Sequence, residues 1–144
     1  MTPFTPLRRL PAWPERLAEH LRRHADAPFG WGVNDCCRFA AGAVAAITGR
    51  EVLPLTWANR AEAVQALRQL GGLVQAVDSV LPRLPSPAHA WRGDVVLVQT
   101  SERHGCRRRW LAVADGDRWW APSPEGLVHG SLTQAGWAWE VGHG

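Results

Sequence analysis

The first half of the chain carries apolar residues at helical spacing. Residues 13–26, WPERLAEHLRRHAD, place apolar positions three and four residues apart with a proline near the start, which predicts a first helix. Residues 29–49, FGWGVNDCCRFAAGAVAAITG, predict a second helix. It should begin near Asn34 or Asp35, whose side chains can accept the free N–H groups of a first turn, and end at Gly49.

Two shorter helices are predicted next. Asn59 and Glu62 stand at the spacing of a capping box, so a third helix should begin there and end before Gly71. Residues 73–81 add a short fourth helix. A proline-rich connector, 82–90, then separates the helical half from the rest of the chain.

The second half has the pattern of short β-strands separated by turn-forming residues. Asp115-Gly116-Asp117 is a hairpin signal between two of them. Helices followed by antiparallel strands predict an α+β fold, with N-terminal helices packed on a C-terminal antiparallel β-sheet. The predicted strands are 94–100, 109–115, 118–122, 126–130 and 137–141.

The segment that precedes the first helix, MTPFTPLRRL, holds two prolines and has no helical period. We expect residues 1–12 to form an extended arm that docks on a neighbouring chain, and residues 13–144 to form one domain. No apolar stretch approaches the ~20 residues that span a bilayer, and no basic-then-apolar leader opens the chain. Neither membrane insertion nor a signal peptide is therefore expected.

Composition narrows the function classes. Hydrophobic residues make up 46% of the chain and charged residues 20%, as in ordinary globular proteins. All 16 basic residues are arginine and nine residues are tryptophan, a pairing that can contact phosphates and bases. The net charge is only +3 and the one dense basic run is 107–109, so nucleic-acid binding is the least favoured alternative. Three cysteines, two of them adjacent, favour a reducing compartment over a disulfide framework.

The adjacent cysteines allow two interpretations. Cys36 in the first turn of a helix would feel the positive end of the helix dipole, which lowers a thiol pKa and suits a nucleophile. Alternatively, Cys36 and Cys37 are small apolar residues of the core, as most free cysteines are. Together with Cys106 and a histidine they could supply four zinc ligands, but adjacent helical residues diverge by about 100°, so no metal site and no cofactor is expected.

The motifs WGVNDC (31–36) and WRGDVVLV (91–98), separated by helices, resemble the NlpC-like cysteine peptidases of the papain-like fold. More closely, the chain resembles a small uncharacterised family of phage and prophage genomes that is distantly similar to those peptidases. The resemblance implies a shortened NlpC-like fold and association with a phage tail. It also implies Cys36 as nucleophile, Asp35 as the helix cap beside it and Gly93-Asp94 as the start of the first strand.

The base that the resemblance requires is missing from its expected place. A histidine should open the second strand, but Trp110 or Leu111 stands there, and neither can accept a proton. His104 precedes that strand by about five residues and is one candidate base. His129 lies on or beside a later strand and could line the site. The other four histidines are expected to have no catalytic role: His20, His24, His89 and His143.

These observations leave three hypotheses. The first is a tail-tip or baseplate protein with an incomplete cysteine-hydrolase site, made in the bacterial cytoplasm and carried in the virion tail beside other tail proteins. The second is an active peptidase or amidase that cuts bacterial peptidoglycan as a phage genome enters the cell, and the third is the nucleic-acid-binding module. Exposed tryptophans often anchor interfaces, and the interface candidates are Trp119, Trp120, Trp137 and Trp139.

Overall fold

The fold is α+β, as predicted: in the part of the chain that the structure describes, four α-helices precede a five-stranded antiparallel sheet. The structure, a computed structural model, describes residues 6–53, 55–101 and 107–143. The helices are α1 (Trp13–His24), α2 (Cys36–Thr48), α3 (Arg60–Gln69) and α4 (Leu73–Asp78). The strands are β1 (Val95–Ser101), β2 (Arg107–Asp115), β3 (Arg118–Ser123), β4 (Gly126–Ser131) and β5 (Ala135–Trp139).

Residues at the ends of α2 and α3 set where these two helices begin and where α2 ends. Asp35 caps α2 by accepting a hydrogen bond from the Arg38 N–H, and Gly49 ends the helix in the left-handed conformation at φ 75°. Asn59 caps α3 by accepting from the Glu62 N–H at 3.0 Å. These boundaries follow the sequence prediction because each depends on residues within a few positions of one another.

The sheet has the strand order β4-β3-β2-β1-β5, and every pairing is antiparallel. The predicted hairpin joins β2 to β3, with Asp115 opposite Arg118 and Gly116 at φ 67° in the turn. The outer side of β5 is covered by the connector, since the Leu84 N–H donates to the Ala138 carbonyl at 2.9 Å.

The two faces of the sheet bury different cores. The face toward the helices packs Val95, Leu97, Leu111 and Val113 against α1 and α2. The opposite face is built of small residues with Trp119 and is covered by the connector and the turn before β5. Trp119 and Trp120 lie on opposite faces, and Trp137 and Trp139 share the helix face, as strand alternation predicts.

The described part of the arm packs on its own domain. The Leu10 N–H donates to the Ile47 carbonyl at 2.8 Å, and Leu7 lies against the main core. Arg9 reaches the buried Asp94, with 3.1 Å between Nη2 and Oδ1. Residues 6–12 thus contact their own domain, which supplies an acidic partner and an apolar surface. Docking of the arm on a neighbouring chain stays a prediction.

Within the described ranges, no helix is both long and apolar enough to cross a membrane.

Candidate functional site

Cys36 is the first residue of α2, and its half-buried side chain packs on the sheet face that contains Leu111. Cys37 follows on the same helix and also contacts this core. Both cysteines are free thiols. The predicted placement of Cys36 at a helix start against the sheet is therefore confirmed, and this is a position in which a helix N-terminus can stabilise a thiolate.

Asp35 organises the loop in front of the thiol. Its side chain is fully buried, and Oδ1 accepts the Arg38 N–H at 2.9 Å, the capping bond of α2. Oδ2 accepts the Gly32 N–H at 2.9 Å and the Trp57 indole N–H at 2.7 Å. The cap role predicted for Asp35 is present. The contact with Trp57 was not foreseen, because the two residues are 22 positions apart and carry no shared motif.

Neighbouring donors lower the pKa of the Cys36 thiol from its ordinary value. The largest cause is a hydrogen bond with the Cys37 thiol, and the main-chain N–H groups of Leu111 and Cys37 act in the same direction. Burial and the negative charge of Asp35 oppose this effect. The same hydrogen bond and burial raise the pKa of Cys37, so Cys36 is the thiol that ionises first.

Leu111 occupies the position on β2 that faces the thiol. Its side chain is 4% exposed and belongs to the helix-side core. Trp110 points to the other face, where its ring lies 5.6 Å from that of Trp119. Of the two residues that the sequence placed at the expected base position, Leu111 is thus the one beside Cys36, and an aliphatic side chain cannot act as a base.

The described histidines all contact groups other than Cys36. His129 is exposed on β4, with its ring 5.0 Å from Trp120. Among the described residues, the groups that set the Cys36 pKa are a thiol, main-chain amides and a carboxylate, with no imidazole. His104 and Cys106 lie outside the described residues. The other histidines bond to the Phe39 carbonyl (His20), the His20 carbonyl (His24), Ser86 (His89) and Asp94 (His143).

The tryptophans predicted for an interface are only partly available to one. Trp139 is fully buried and Trp119 is 4% exposed, so both are corrected to core residues: strand alternation places each on a covered face. Trp120 and Trp137 are half-buried, so their contact with another chain stays a prediction. The exposed indoles are instead Trp31, in the loop before Cys36, and Trp91, before β1.

No group of three or more metal-ligating side chains occurs within residues 6–53, 55–101 and 107–143. Cys36 and Cys37 follow one another on α2, and the third cysteine lies outside these ranges.

Comparison with known proteins places the chain in a family and a fold. Residues 8–141 match a family described as a domain of unknown function (DUF6950), and the chain belongs to this family. No curated protein matches the sequence. A solved structure from Staphylococcus aureus subsp. aureus Mu50, described as similar to a lipoprotein of the NLP/P60 family, is similar to this chain with a TM-score of 0.59.

That structure is 15% identical in sequence, and the match covers 99% of this chain but 46% of the other. The chain therefore spans about half the length of the protein it matches. At this identity the likeness concerns the fold alone. It confirms the NlpC-like fold that the sequence motifs predicted.

Proposed function

We propose that this member of the DUF6950 family is a phage or prophage tail-tip component that uses an NlpC/P60-like fold for assembly and carries an incomplete cysteine-hydrolase site. One observation carries the proposal: the aliphatic Leu111, in the middle of β2, lies beside Cys36 where a thiol hydrolase would need an imidazole. The assignment to tails rests on the resemblance of the sequence motifs.

Among the described residues, the groups that set the pKa of Cys36 include no imidazole, the group that thiol hydrolases use to move protons. A helix N-terminus stabilises a negative charge by about 0.3–1 kcal/mol, which lowers a pKa by less than about one unit. A positioned base contributes roughly 10²–10⁴ in rate beyond this. The described surroundings of Cys36 therefore favour a thiol that ionises more easily than usual but has no partner to protonate a leaving group.

The hydrolase test is release of soluble fragments from purified peptidoglycan. We expect the parent protein to release no more than Cys36→Ala, beside an active NlpC/P60 hydrolase as positive control. Release that is robust in the parent and lost in Cys36→Ala would overturn the proposal. Far-ultraviolet circular dichroism of both proteins verifies that they are folded.

The assembly test is incorporation into particles. Trp31 and Val33 are 39% and 83% exposed in the loop before Cys36, and exposed apolar residues of this kind anchor interfaces. We expect the double variant Trp31→Ala/Val33→Ser to fold but to enter purified tails poorly, whereas Cys36→Ala enters them normally. Val128→Ser, at a residue that is 41% exposed on β4, is the matched control.

An active thiol hydrolase is the second candidate, and the lowered pKa of Cys36 favours it. Such an enzyme needs a base, and His104 is the histidine that the sequence offers nearest to the start of β2. If this candidate is correct, peptidoglycan release should vanish in both Cys36→Ala and His104→Ala and should persist in His129→Ala.

A further inference from the structure

A cavity of about 140 Å³ lies between the helices and the sheet, beside the candidate site. Its walls come from α2, α3, α4, the segment before α3 and the first two strands. Cys37 and Leu111 form the wall nearest the thiol, and Trp57 contributes another side. Leu70, which is 43% exposed after α3, and the exposed Ser79 after α4 also line the cavity, so the cavity reaches solvent beside α4.

The walls of this cavity offer almost nothing to which water could bind. Among the described lining residues, the polar side-chain groups besides the Cys37 thiol are the Ser79 hydroxyl and the Trp57 indole N–H. The hydroxyl donates to the Ala76 carbonyl at 2.6 Å and the indole donates to Asp35 at 2.7 Å. An ordered buried water needs two to four polar partners. A cavity without them stays dry, and its lining loses the dispersion contacts that a fitting apolar guest would restore.

The volume of the cavity indicates the size of the guest. Apolar cavities of about 150 Å³ in a protein core remain empty of water and bind benzene or xenon. The cavity described here is of this size and is walled mainly by aliphatic side chains and the Trp57 indole, with Leu70 and Ser79 exposed at its edge. A single aromatic ring or a short branched alkyl group fits these conditions, whereas a charged or multiply hydroxylated group does not.

We propose that this cavity is a binding site for the apolar end of a small-molecule ligand, of the size of one benzene ring. The inner wall is Cys37, so a bound ring lies next to the residue that follows Cys36 on α2. The site stands on the cavity geometry alone and is independent of the proposed tail function. It therefore holds for an active or an inactive Cys36.

Benzene is the probe, and ring-current shifts of the methyl groups of Val77 and Leu111 report its arrival in the full-length protein. We expect the shifts to saturate as benzene is added. Ala41→Leu, which extends a wall residue of α2 into the cavity, should abolish the shifts.

Ala45→Leu is the matched control: Ala45 lies one turn further along α2, is likewise half-buried and does not line this cavity. It should bind benzene like the parent. If Ala41→Leu fails to fold, Ala76→Leu fills the cavity from α4 instead. Shifts that rise linearly without saturation, or binding that survives a filling variant, would overturn the proposal.

Discussion

Asp35 and Asp94 are both fully buried, but different kinds of donor stabilise their carboxylates. Asp35 accepts hydrogen bonds from two main-chain N–H groups and one indole, and no arginine of the described residues forms a salt bridge with it. Asp94 is paired with the Arg9 guanidinium and also accepts from main-chain N–H groups at Trp91 and Val141.

The two networks also differ in reach. Most donors to Asp35 come from its own loop and helix turn, so they organise the surroundings of Cys36 locally. Asp94 has one local donor, the Trp91 N–H, but it also binds groups from both ends of the domain, since Arg9 precedes α1 and His143 follows β5. The comparison teaches that one carboxylate shapes the candidate site, whereas the other joins the two ends of the domain to the sheet.

Removal of the charge at Asp94 should have the largest effect. Asp94→Asn leaves the Arg9 guanidinium without a counter-ion among buried groups, and breaking a buried ion pair in this way costs about 3–5 kcal/mol. We expect the free energy of unfolding, measured with urea, to fall by that amount. The double variant with Arg9→Met should recover part of the loss, and a loss below about 1 kcal/mol for Asp94→Asn would refute this role.

His20 is a buried titratable group whose bonded partner is a main-chain carbonyl, that of Phe39, and not a carboxylate. Burial, with a smaller effect of the charge on His24, lowers the pKa of His20 from 6.5 to about 4. The folded state therefore binds this proton less readily than the unfolded chain, so its stabilising contribution is complete above pH 6.5 and is lost as pH falls toward 4. The expected loss is about 3 kcal/mol, and His20→Gln should flatten the urea stability profile over this range.

Asp35→Asn should have a smaller effect on stability and a distinctive effect on the thiol. The amide has one acceptor oxygen, so it cannot serve both the Arg38 N–H and the pair of donors at Gly32 and Trp57, and an unpaired buried donor costs about 1–3 kcal/mol. Because the negative charge of Asp35 raises the pKa of Cys36, its removal should lower that pKa further, as measured by the pH dependence of iodoacetamide alkylation. Asn59→Ala, which removes the cap of α3, should destabilise by about 1 kcal/mol without changing the pKa of Cys36.

Cys37 provides the finest test of the local network around Asp35. Cys37→Ala removes the hydrogen bond that contributes most to the lowered pKa of Cys36, so that pKa should rise. Cys37→Ser keeps a donor and should leave the pKa of Cys36 nearer the parent value. Alkylation profiles that are identical for the two variants would contradict the assignment of this effect to the hydrogen bond.

Much of the fold follows from short-range patterns. The cap of α2 at Asp35, its end at Gly49 and the cap of α3 at Asn59 were predicted because each involves residues no more than a few positions apart. Strand alternation likewise predicted that Trp119 and Trp120 point to opposite faces. Strand alternation does not predict which face of the sheet the helices cover. For this reason the sequence could not decide whether Trp110 or Leu111 lies beside Cys36.

The sequence by itself therefore determined the order and approximate bounds of the elements and the position of Cys36 at a helix start, since hydrophobic period and capping act over one or two turns. Only the tertiary structure decided that Leu111 faces the thiol, that Arg9 pairs with Asp94 and that Trp57 binds Asp35. It also produced the apolar cavity beside Cys37. These features join residues that lie far apart in the chain, and their contacts depend on which surfaces meet when the helices pack on the sheet.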